Sequence, residues 1–356
     1  MGQVKNRQNL RQIDRGYSAE GQAFRRLFAA LVCGGLAALS LASCKTPDEP
    51  APTSTAPIAQ QADTPAAPVH PIEIKFDADK AWSHLVKQCD FGPRVPNTDA
   101  HAKCQDYILS EMKKSCEDAH TQDFSYYWRY GHKMLKMANL IGTQNWKDAK
   151  VRVVLLAHWD CRPEADQDPN PANRNKPILG ADDGASGVAV LLELARVMKD
   201  RLPKDVGVMY FMTDGEDVGP DSAEMYLGVK QFMKEVPKPA PDYGILLDMI
   251  GNKDVVVKME QSSMRLAPDL LREFYKSAAD NGLSSTFPAE VGDDIEDDHL
   301  VLNSGGIPTI DLIDFEFKPW HTLGDVPSTC SADSLKKIGA GLESWLLRDP
   351  PYKPSK

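Results

Sequence analysis

The sequence predicts an α/β fold, a three-layer sandwich in which a central, mostly parallel, twisted sheet is flanked by helices. Short β-branched apolar runs such as Val151–Ala157 have the composition of strands that are buried on both faces. Segments with helical periodicity separate these runs along the chain, as in a sheet with crossover helices. One of them, Gly187–Lys199, is apolar on most of its faces, as a buried crossover helix should be.

The remaining elements follow from the same two patterns. Apolar residues that recur every three or four positions predict helices at Ala81–Cys89, Ala100–Glu117, Pro268–Ala279 and Ser334–Leu347. Short apolar runs predict strands at Met137–Ile141, Val206–Phe211, Tyr243–Met249, Asp254–Lys258 and Thr309–Ile313. Neither an internal repeat nor a second linker interrupts this series, so one folded domain over residues 72–356 is the economical interpretation.

The first 71 residues have the pattern of a targeting signal followed by a linker. An apolar run after Arg25-Arg26 is too short and too broken by glycine for a membrane span, and it ends in Leu41-Ala42-Ser43-Cys44. This ending resembles the bacterial lipobox, whose cysteine is lipidated; an ordinary signal peptide with an incidental cysteine is the alternative. We therefore predict a lipoprotein signal peptide at 1–43, lipidation at Cys44 and a flexible Pro/Ala-rich tether at 44–71.

These features place the chain at the bacterial cell envelope, lipid-anchored and facing the periplasm. The residue after the cysteine is Lys45 and not Asp. By resemblance to known lipoprotein sorting signals, this favours the outer membrane. The formal net charge of −10, from 41 basic and 51 acidic residues, disfavours nucleic acid as a partner because phosphate would be repelled.

Metal-binding residue types follow several predicted strands directly. His158 follows the first apolar strand, the pair Glu216-Asp217 follows another, and Asp248 ends a third. Asp183 opens the apolar helix, and His321 follows the last strand after a short loop. Because the chemistry of parallel sheets collects beyond the carboxyl ends of the strands, we expect these side chains to lie together. Such crowding of carboxylates raises the energy unless a cation compensates it.

A catalytic zinc site needs three protein ligands and an open position, with a neighbouring carboxylate as proton shuttle. The adjacent acids Glu216 and Asp217 suit this requirement, because consecutive side chains at a strand end point in opposite directions. Cys161, beside the same segment, offers a nucleophilic thiol as an alternative. We disfavour it because no His-Asn arrangement of the usual kind accompanies it.

A set of motifs carries a family resemblance. The motifs are FGPR (Phe91–Arg94), MANLIGT (Met137–Thr143), LLAHWD, GADDGASGVAVLLELAR, TDGED, LLDMIG (Leu246–Gly251), EDDHLVL (Glu296–Leu302), GGIP (Gly305–Pro308) and PWHT. In this order they resemble the M28 zinc-peptidase family and, within it, the glutaminyl-peptide cyclotransferases. The resemblance runs from about Phe91 to the final helix and implies a zinc aminopeptidase-like fold. It also implies conversion of the N-terminal glutamine of peptides and exported proteins into pyroglutamate, with release of ammonia.

The resemblance further implies a role for each of eight residues. A single zinc ion per chain would be held by Asp183, Asp217 and His321. Glu216 would be the general acid and base, Asp248 and Asp297 would bind the substrate amine and amide, Trp320 would line the glutamine pocket, and His158 would support the site.

The chain departs from the family pattern at three places. Asp217 stands where Glu is usual, Glu164–Leu179 forms a polar insertion, and Val218–Asp221 lacks the tryptophan of mammalian-type cyclases, so part of the pocket wall must come from elsewhere. Two rival functions stay open: a two-zinc aminopeptidase that uses His158 and Asp248 beside a bridging Asp183, and a non-catalytic lipoprotein that binds peptides or zinc.

Several other residues receive structural interpretations. His101, His120 and His132 lie in polar stretches and are predicted at the surface. Trp159 either lines the site or packs behind it.

Overall fold

The computed structural model describes residues 72–354, so the predicted signal peptide, Cys44 and the tether up to residue 71 lie outside the described residues. The helices are α1 (Ala78–Asp90), α2 (Asp99–Ser115), α3 (Ala185–Met198), α4 (Leu227–Phe232), α5 (Gln261–Leu266), α6 (Pro268–Asp280), α7 (Asp298–Ser304) and α8 (Ala332–Leu346). The strands are β1 (Asp118–Trp128), β2 (Lys133–Gln144), β3 (Val151–His158), β4 (Val206–Thr213), β5 (Tyr243–Asp248) and β6 (Thr309–Ile313).

The six strands form one sheet in the order β1-β2-β4-β3-β5-β6. Strands β4, β3, β5 and β6 run parallel, whereas β2 is antiparallel to both β4 and β1. The prediction of a mostly parallel sheet is confirmed. The carboxyl ends of β3, β4 and β5 therefore lie side by side at one edge.

Helices cover both faces of the sheet, which confirms the three-layer prediction. Alternate residues of β3 point to opposite faces, so Leu155 packs in the core with α1, α3 and α8, and Leu156 packs in a second core with α4 and α7. Helix α3 is buried along almost its whole length, which explains its apolar composition.

One predicted strand is wrong. The segment Asp254–Lys258 joins no ladder of the sheet, although Val255 and Val257 are buried in the main core. Its backbone is satisfied outside the sheet, because the N–H of Val257 donates to the carbonyl of Thr286 at 2.8 Å. Its apolar residues reflect packing against the core, a signal that periodicity cannot distinguish from a strand.

Strand β1 and the short helices α4, α5 and α7 have no counterpart in the prediction. β1 contains no fully buried residue, and exposed and half-buried positions largely alternate along it. An antiparallel strand at the edge of a sheet does not need a buried apolar run, so it lacks the signal that reveals β3 and β4.

The surface prediction for His101 is also wrong. Its Nε2 lies 3.0 and 2.9 Å from the two carboxylate oxygens of Asp214, at the end of β4, and both side chains are buried. The His101 ring also stacks on Trp159, with 4.2 Å between the ring centroids. A buried carboxylate needs a partner, and α2 supplies one. His120 and His132 are exposed, as predicted.

Candidate active site

The predicted site residues meet at the edge of the sheet where β3, β4 and β5 end. His158 is the last residue of β3, Asp248 is the last residue of β5, and Glu216-Asp217 follow β4 within four residues. Asp183 precedes α3, and His321 follows the loop after β6. The topology thus explains why residues far apart in the sequence become neighbours.

One cluster consists of Asp183, Asp217 and His321, all buried. Each offers one ligand atom, and these atoms lie within 4.8 Å of one another. The Nε2 of His321 lies 3.6 Å from Oδ2 of Asp183 and 3.5 Å from Oδ1 of Asp217. Oδ2 of Asp183 and Oδ2 of Asp217 are buried without a hydrogen-bond partner among the described residues. Two unpartnered carboxylate oxygens beside an imidazole nitrogen form a donor set that fits zinc.

The turn before α3 positions Asp183. Gly184 has φ 102°, and a Cβ at this position would lie 2.5 Å from the carbonyl oxygen of Asp160, so only glycine fits. The carboxylate of Asp325 accepts the backbone N–H groups of Asp182 at 2.8 Å and of Asp183 at 3.2 Å. These contacts hold the backbone of the turn, and the Asp183 carboxylate itself remains available to face Asp217 and His321.

Asp160 positions the acid pair in a similar way. Its Oδ1 accepts the backbone N–H of Glu216 at 3.2 Å, and its Oδ2 accepts that of Asp217 at 3.3 Å. Trp159 lies behind this arrangement, fully buried, and its Nε1 donates to the carbonyl of Ala138 at 3.1 Å. Of the two interpretations of Trp159, packing behind the site is the correct one.

Arg162 and Asp166 are site residues that the sequence interpretation missed. Arg162 Nη1 donates to Oδ1 of Asp217 at 2.6 Å, and its Nε and Nη2 donate to the two oxygens of Asp166 at 3.0 and 3.1 Å. Asp166 Oδ1 in turn lies 3.2 Å from Nδ1 of His321. The two residues thus connect two members of the cluster from behind. One sequence signal could have revealed Arg162: it is an arginine four positions after His158, in a predicted site that is rich in carboxylates.

A second cluster shares Asp183 with the first. His158 Nε2 lies 3.1 Å from Oδ1 of Asp183 and 3.2 Å from Oδ1 of Asp248, and the three residues again place ligand atoms within 4.8 Å of one another. Asp183 therefore directs one oxygen toward each histidine. This geometry accommodates His158 both as a supporting residue and as the ligand of a second metal.

Burial and like charges shift the pKa values of the acids. Burial raises the pKa of Glu216 well above its ordinary value, and the charges of Asp217 and Asp297 add to this shift against the opposing charge of His158. Burial and the charge of Asp248 also raise the pKa of Asp297 well above the usual range. Asp183 differs: burial raises its pKa, but the contact with His158 and the charges of His158, His321 and Arg162 together outweigh burial and lower the pKa. The site therefore combines an ionised acid with acids that bind protons readily.

A pocket of about 60 Å³ opens beside the first cluster, and we call it the inner pocket. Its polar lining includes Glu216, Asp248 and Asp297, none of which belongs to the first cluster. Trp320 forms part of the apolar wall and stacks on His321, with 3.9 Å between the ring centroids. Trp320 thus lies beside the first cluster, and its role in binding glutamine stays a prediction. The backbone of His321 is left-handed, with φ 53°, an uncommon conformation for a residue other than glycine.

Cys161 is not placed to act as a nucleophile. It is fully buried, its Sγ accepts a hydrogen bond from the backbone N–H of Arg94 at 2.9 Å, and burial raises the pKa of its thiol. The reactive form of cysteine is the thiolate, so this side chain is inert and structural. All five cysteines in residues 72–354 are free thiols.

The six-stranded sheet flanked by helices matches the fold of solved zinc exopeptidases, and the family model for peptidase family M28 matches residues 139–346. The chain belongs to that family. The crystal structure of Bacteroides thetaiotaomicron glutaminyl cyclase, bound to N-acetylhistamine, is 36% identical, with 78% of this chain and 99% of that chain covered and a TM-score of 0.73.

Two further relatives are a peptidase and a cyclotransferase by name. A leucine aminopeptidase precursor from Bacteroides thetaiotaomicron is 35% identical, with 79% of this chain and all of that chain (100%) covered and a TM-score of 0.75. The Drosophila melanogaster glutaminyl-peptide cyclotransferase is 26% identical over 282 residues, which cover 69% of this chain and 75% of that protein.

Proposed function

We propose that this chain is a zinc-dependent glutaminyl-peptide cyclotransferase that converts the N-terminal glutamine of peptides and exported proteins into pyroglutamate, with one zinc ion per chain. The observation that carries the proposal is the inner pocket, where three carboxyl groups outside the ligand cluster face one small space. Cyclisation has to fold a glutamine side chain back onto its own amine, and a small pocket with carboxyl groups suits that task.

In the proposed reaction, the α-amine nitrogen of glutamine attacks its side-chain amide carbon. A C–N bond closes the ring, the bond to the amide nitrogen breaks, and ammonia leaves. Glu216 takes a proton from the amine and returns it to the departing nitrogen. Asp248 and Asp297 hold the amine and the amide by hydrogen bonds, and Trp320 helps to exclude water. A zinc ion held by Asp183, Asp217 and His321 would supply a Lewis acid that stabilises the developing oxyanion.

A second candidate is a two-zinc aminopeptidase, and the second cluster of His158, Asp183 and Asp248 favours it. A peptide that begins with glutamine distinguishes the two functions. Release of ammonia without shortening of the chain supports the cyclotransferase, and release of free N-terminal amino acids supports the peptidase.

The role of Glu216 is tested by Glu216→Gln. We expect zinc content to stay near one per chain and turnover to fall about 10³-fold, the range for loss of a general acid and base. Zinc is measured by atomic emission and turnover by ammonia release. The matched control is Glu235→Gln, at an exposed glutamate outside the site, which should leave both values unchanged. Persistent turnover in Glu216→Gln would exclude the assigned role.

We also propose that the chain is attached to the cell envelope through a lipid on Cys44, facing the periplasm. Among residues 72–354, no helix is long and apolar enough to cross a membrane. In cells fed a radioactive fatty acid, we expect label on the wild-type chain and none on Cys44→Ser. Label on both proteins, or on neither, would contradict the assignment.

A further inference from the structure

Tyr226 links two parts of the chain that carry carboxyl groups of the inner pocket. It is buried in the core that includes residues of α4 and α7, and it does not line the pocket itself. Glu216 and Asp297, which do line the pocket, lie on separate loops, one after β4 and the other before α7. In the proposed reaction Glu216 moves the proton and Asp297 helps to hold the substrate, so the distance between the two side chains matters.

The backbone of Tyr226 holds the loop after β4. Its N–H donates to the carbonyl of Glu216 at 3.0 Å, and the N–H of Leu227 donates to the carbonyl of Gly215 at 3.0 Å. Tyr226 has a left-handed backbone here, with φ 60° and ψ 31°, which is uncommon for a residue with a bulky side chain. Such a conformation persists only where the surrounding contacts impose it. The backbone of Tyr226 is therefore tied to the peptide group that joins Glu216 to Asp217.

The hydroxyl of the same residue holds the loop before α7. It donates to the carbonyl of Glu296 at 2.7 Å, and Glu296 directly precedes Asp297. Burial and the charges of Glu216 and Asp297 raise the pKa of this hydroxyl, so it keeps its proton and acts as a donor. Lys230 Nζ lies 5.4 Å from the centroid of the ring and donates to the carbonyl of Met225 at 2.7 Å. One rigid aromatic side chain thus spans the space between the two loops.

We propose that Tyr226 is a positioning residue for the reaction, which sets the distance between Glu216 and Asp297 by holding both of their loops. This inference rests on the proposed function. Tyr226 touches neither the substrate nor the zinc ion in this proposal; it acts through the two acids. A displacement of a reacting group by about 1 Å can lower a rate about 100-fold, so a single hydrogen bond that fixes one loop against the other has a measurable effect.

The test begins with Tyr226→Phe, which removes the hydroxyl and keeps the ring. We expect kcat for ammonia release from the peptide Gln-Ala-Ala to fall about tenfold, with the zinc content unchanged from the wild type. The matched control is Tyr275→Phe, because the buried Tyr275 hydroxyl also donates to a backbone carbonyl at 2.7 Å, that of Lys258, which does not line the inner pocket. Both variants should lower the urea midpoint by similar amounts, since each loses a buried hydroxyl donor, but Tyr275→Phe should keep the wild-type kcat.

A double-mutant cycle separates positioning from a general loss of stability. If Tyr226 acts through Asp297, its hydroxyl should matter little once Asp297→Ala has removed the carboxyl group. In that background we expect Tyr226→Phe to change the residual kcat by less than about twofold, so the two effects are not additive. A wild-type kcat in Tyr226→Phe alone, or a tenfold loss that persists in the Asp297→Ala background, would overturn the proposal.

Failure of the proposed function would be visible separately, because the wild type would then form no pyroglutamate from Gln-Ala-Ala. Hydrogen exchange, measured by mass spectrometry, tests the contact without any turnover. Loss of the Tyr226 hydroxyl should speed the exchange of backbone amides in residues 294–300 at least about threefold, whereas Tyr275→Phe should leave this segment unchanged. Equal exchange of the segment in Tyr226→Phe and the wild type would show that the hydroxyl does not hold the loop, and the proposal would fail.

Discussion

The two clusters that share Asp183 differ in how their buried charges are balanced. In the cluster with Asp217 and His321, one oxygen of each aspartate is buried without a hydrogen-bond partner among the described residues. In the cluster with His158 and Asp248, the histidine lies between the two carboxylates and reaches both at 3.1 and 3.2 Å. Arg162 pairs with Asp217 in the first cluster, but the two unpartnered oxygens remain open to a cation, whereas His158 already contacts both carboxylates of the second cluster.

Neighbouring carboxylates raise the pKa of the histidine in each cluster, and the effect is larger for His158 than for His321. Burial alone would lower the pKa of His158, but the neighbouring carboxylates of Asp160, Asp183 and Asp248 raise it well above its ordinary value. A protonated His158 cannot bind a metal, so a second ion would have to displace that proton. The two donor sets at this sheet edge therefore differ in how their carboxylate oxygens are paired: two oxygens of the first cluster have no hydrogen-bond partner among the described residues, and the histidine of the second contacts both of its carboxylates.

The largest effect is expected from His321→Ala. This change removes the nitrogen ligand of the cluster with two unpartnered carboxylate oxygens, so we expect zinc content to fall from one to below about 0.1 per chain and turnover to fall at least ~10³-fold. Metal analysis after dialysis, together with the ammonia assay, measures both values. Near-normal zinc in His321→Ala would show that the first cluster does not hold the ion.

The matched variant for that comparison is His158→Asn. It removes the histidine of the second cluster and none of the three ligands of the first, and we expect it to keep about one zinc per chain. If the wild type binds two zinc ions and His158→Asn binds one, the two clusters are equivalent in kind, and the aminopeptidase becomes the better assignment.

A smaller effect is expected from Arg162→Met. The guanidinium fixes Asp217 directly and His321 through Asp166, so its loss frees two ligands to rotate. Loss of such supporting contacts typically weakens metal binding 10- to 100-fold, and we expect about tenfold here, measured by competition with a chelator. Arg272→Met, at an exposed arginine of α6, is the control. Equal affinity in the two variants would mean that the ligands are held without Arg162.

The sequence could predict the first cluster because its members stand in family motifs and in loops that follow strands. Asp183 lies in the loop after β3, Asp217 in that after β4 and His321 in that after β6, and these three strands run parallel. Arg162 and the Asp214–His101 pair could not be predicted in the same way. Their roles depend on which side chains face each other across loops and helices, and periodicity reports only which face is apolar.

The apolar wall beside Val218 could not be predicted from the sequence for a related reason. Its aromatic residue Trp128 ends β1, an exposed edge strand without a buried apolar run. The absence of a tryptophan after Asp217 showed that a wall was missing, but not that Trp128, about 90 positions earlier, lies beside Val218.

Glu260 offers a third kind of charge balance. Its replacement is expected to change the stability of the fold and to leave the metal cluster intact. Its buried carboxylate accepts the backbone N–H groups of Ser262, Ser263 and Ile295 at 2.7, 2.5 and 3.0 Å, and it lies 3.4 Å from His299. Burial opposes ionisation, but these donors outweigh it and lower the pKa of Glu260 from 4.5 to about 2. Here the protein's own donors pair both carboxylate oxygens, whereas Asp183 and Asp217 of the first cluster each keep one oxygen without a partner among the described residues.

The sign of the pH dependence follows from that shift. Because the folded-state pKa is below the unfolded-state value, the ionised Glu260 stabilises the fold above about pH 4.5, and this contribution is lost as the pH falls toward 2. Glu260→Gln should lower the free energy of unfolding by about 2 kcal/mol at pH 7. The difference in the free energy of unfolding between Glu260→Gln and the wild type should become smaller below pH 4.5. Urea titrations measure it, with Glu235→Gln as the control. A gap independent of pH would mean that packing, rather than the charge of Glu260, sets its contribution.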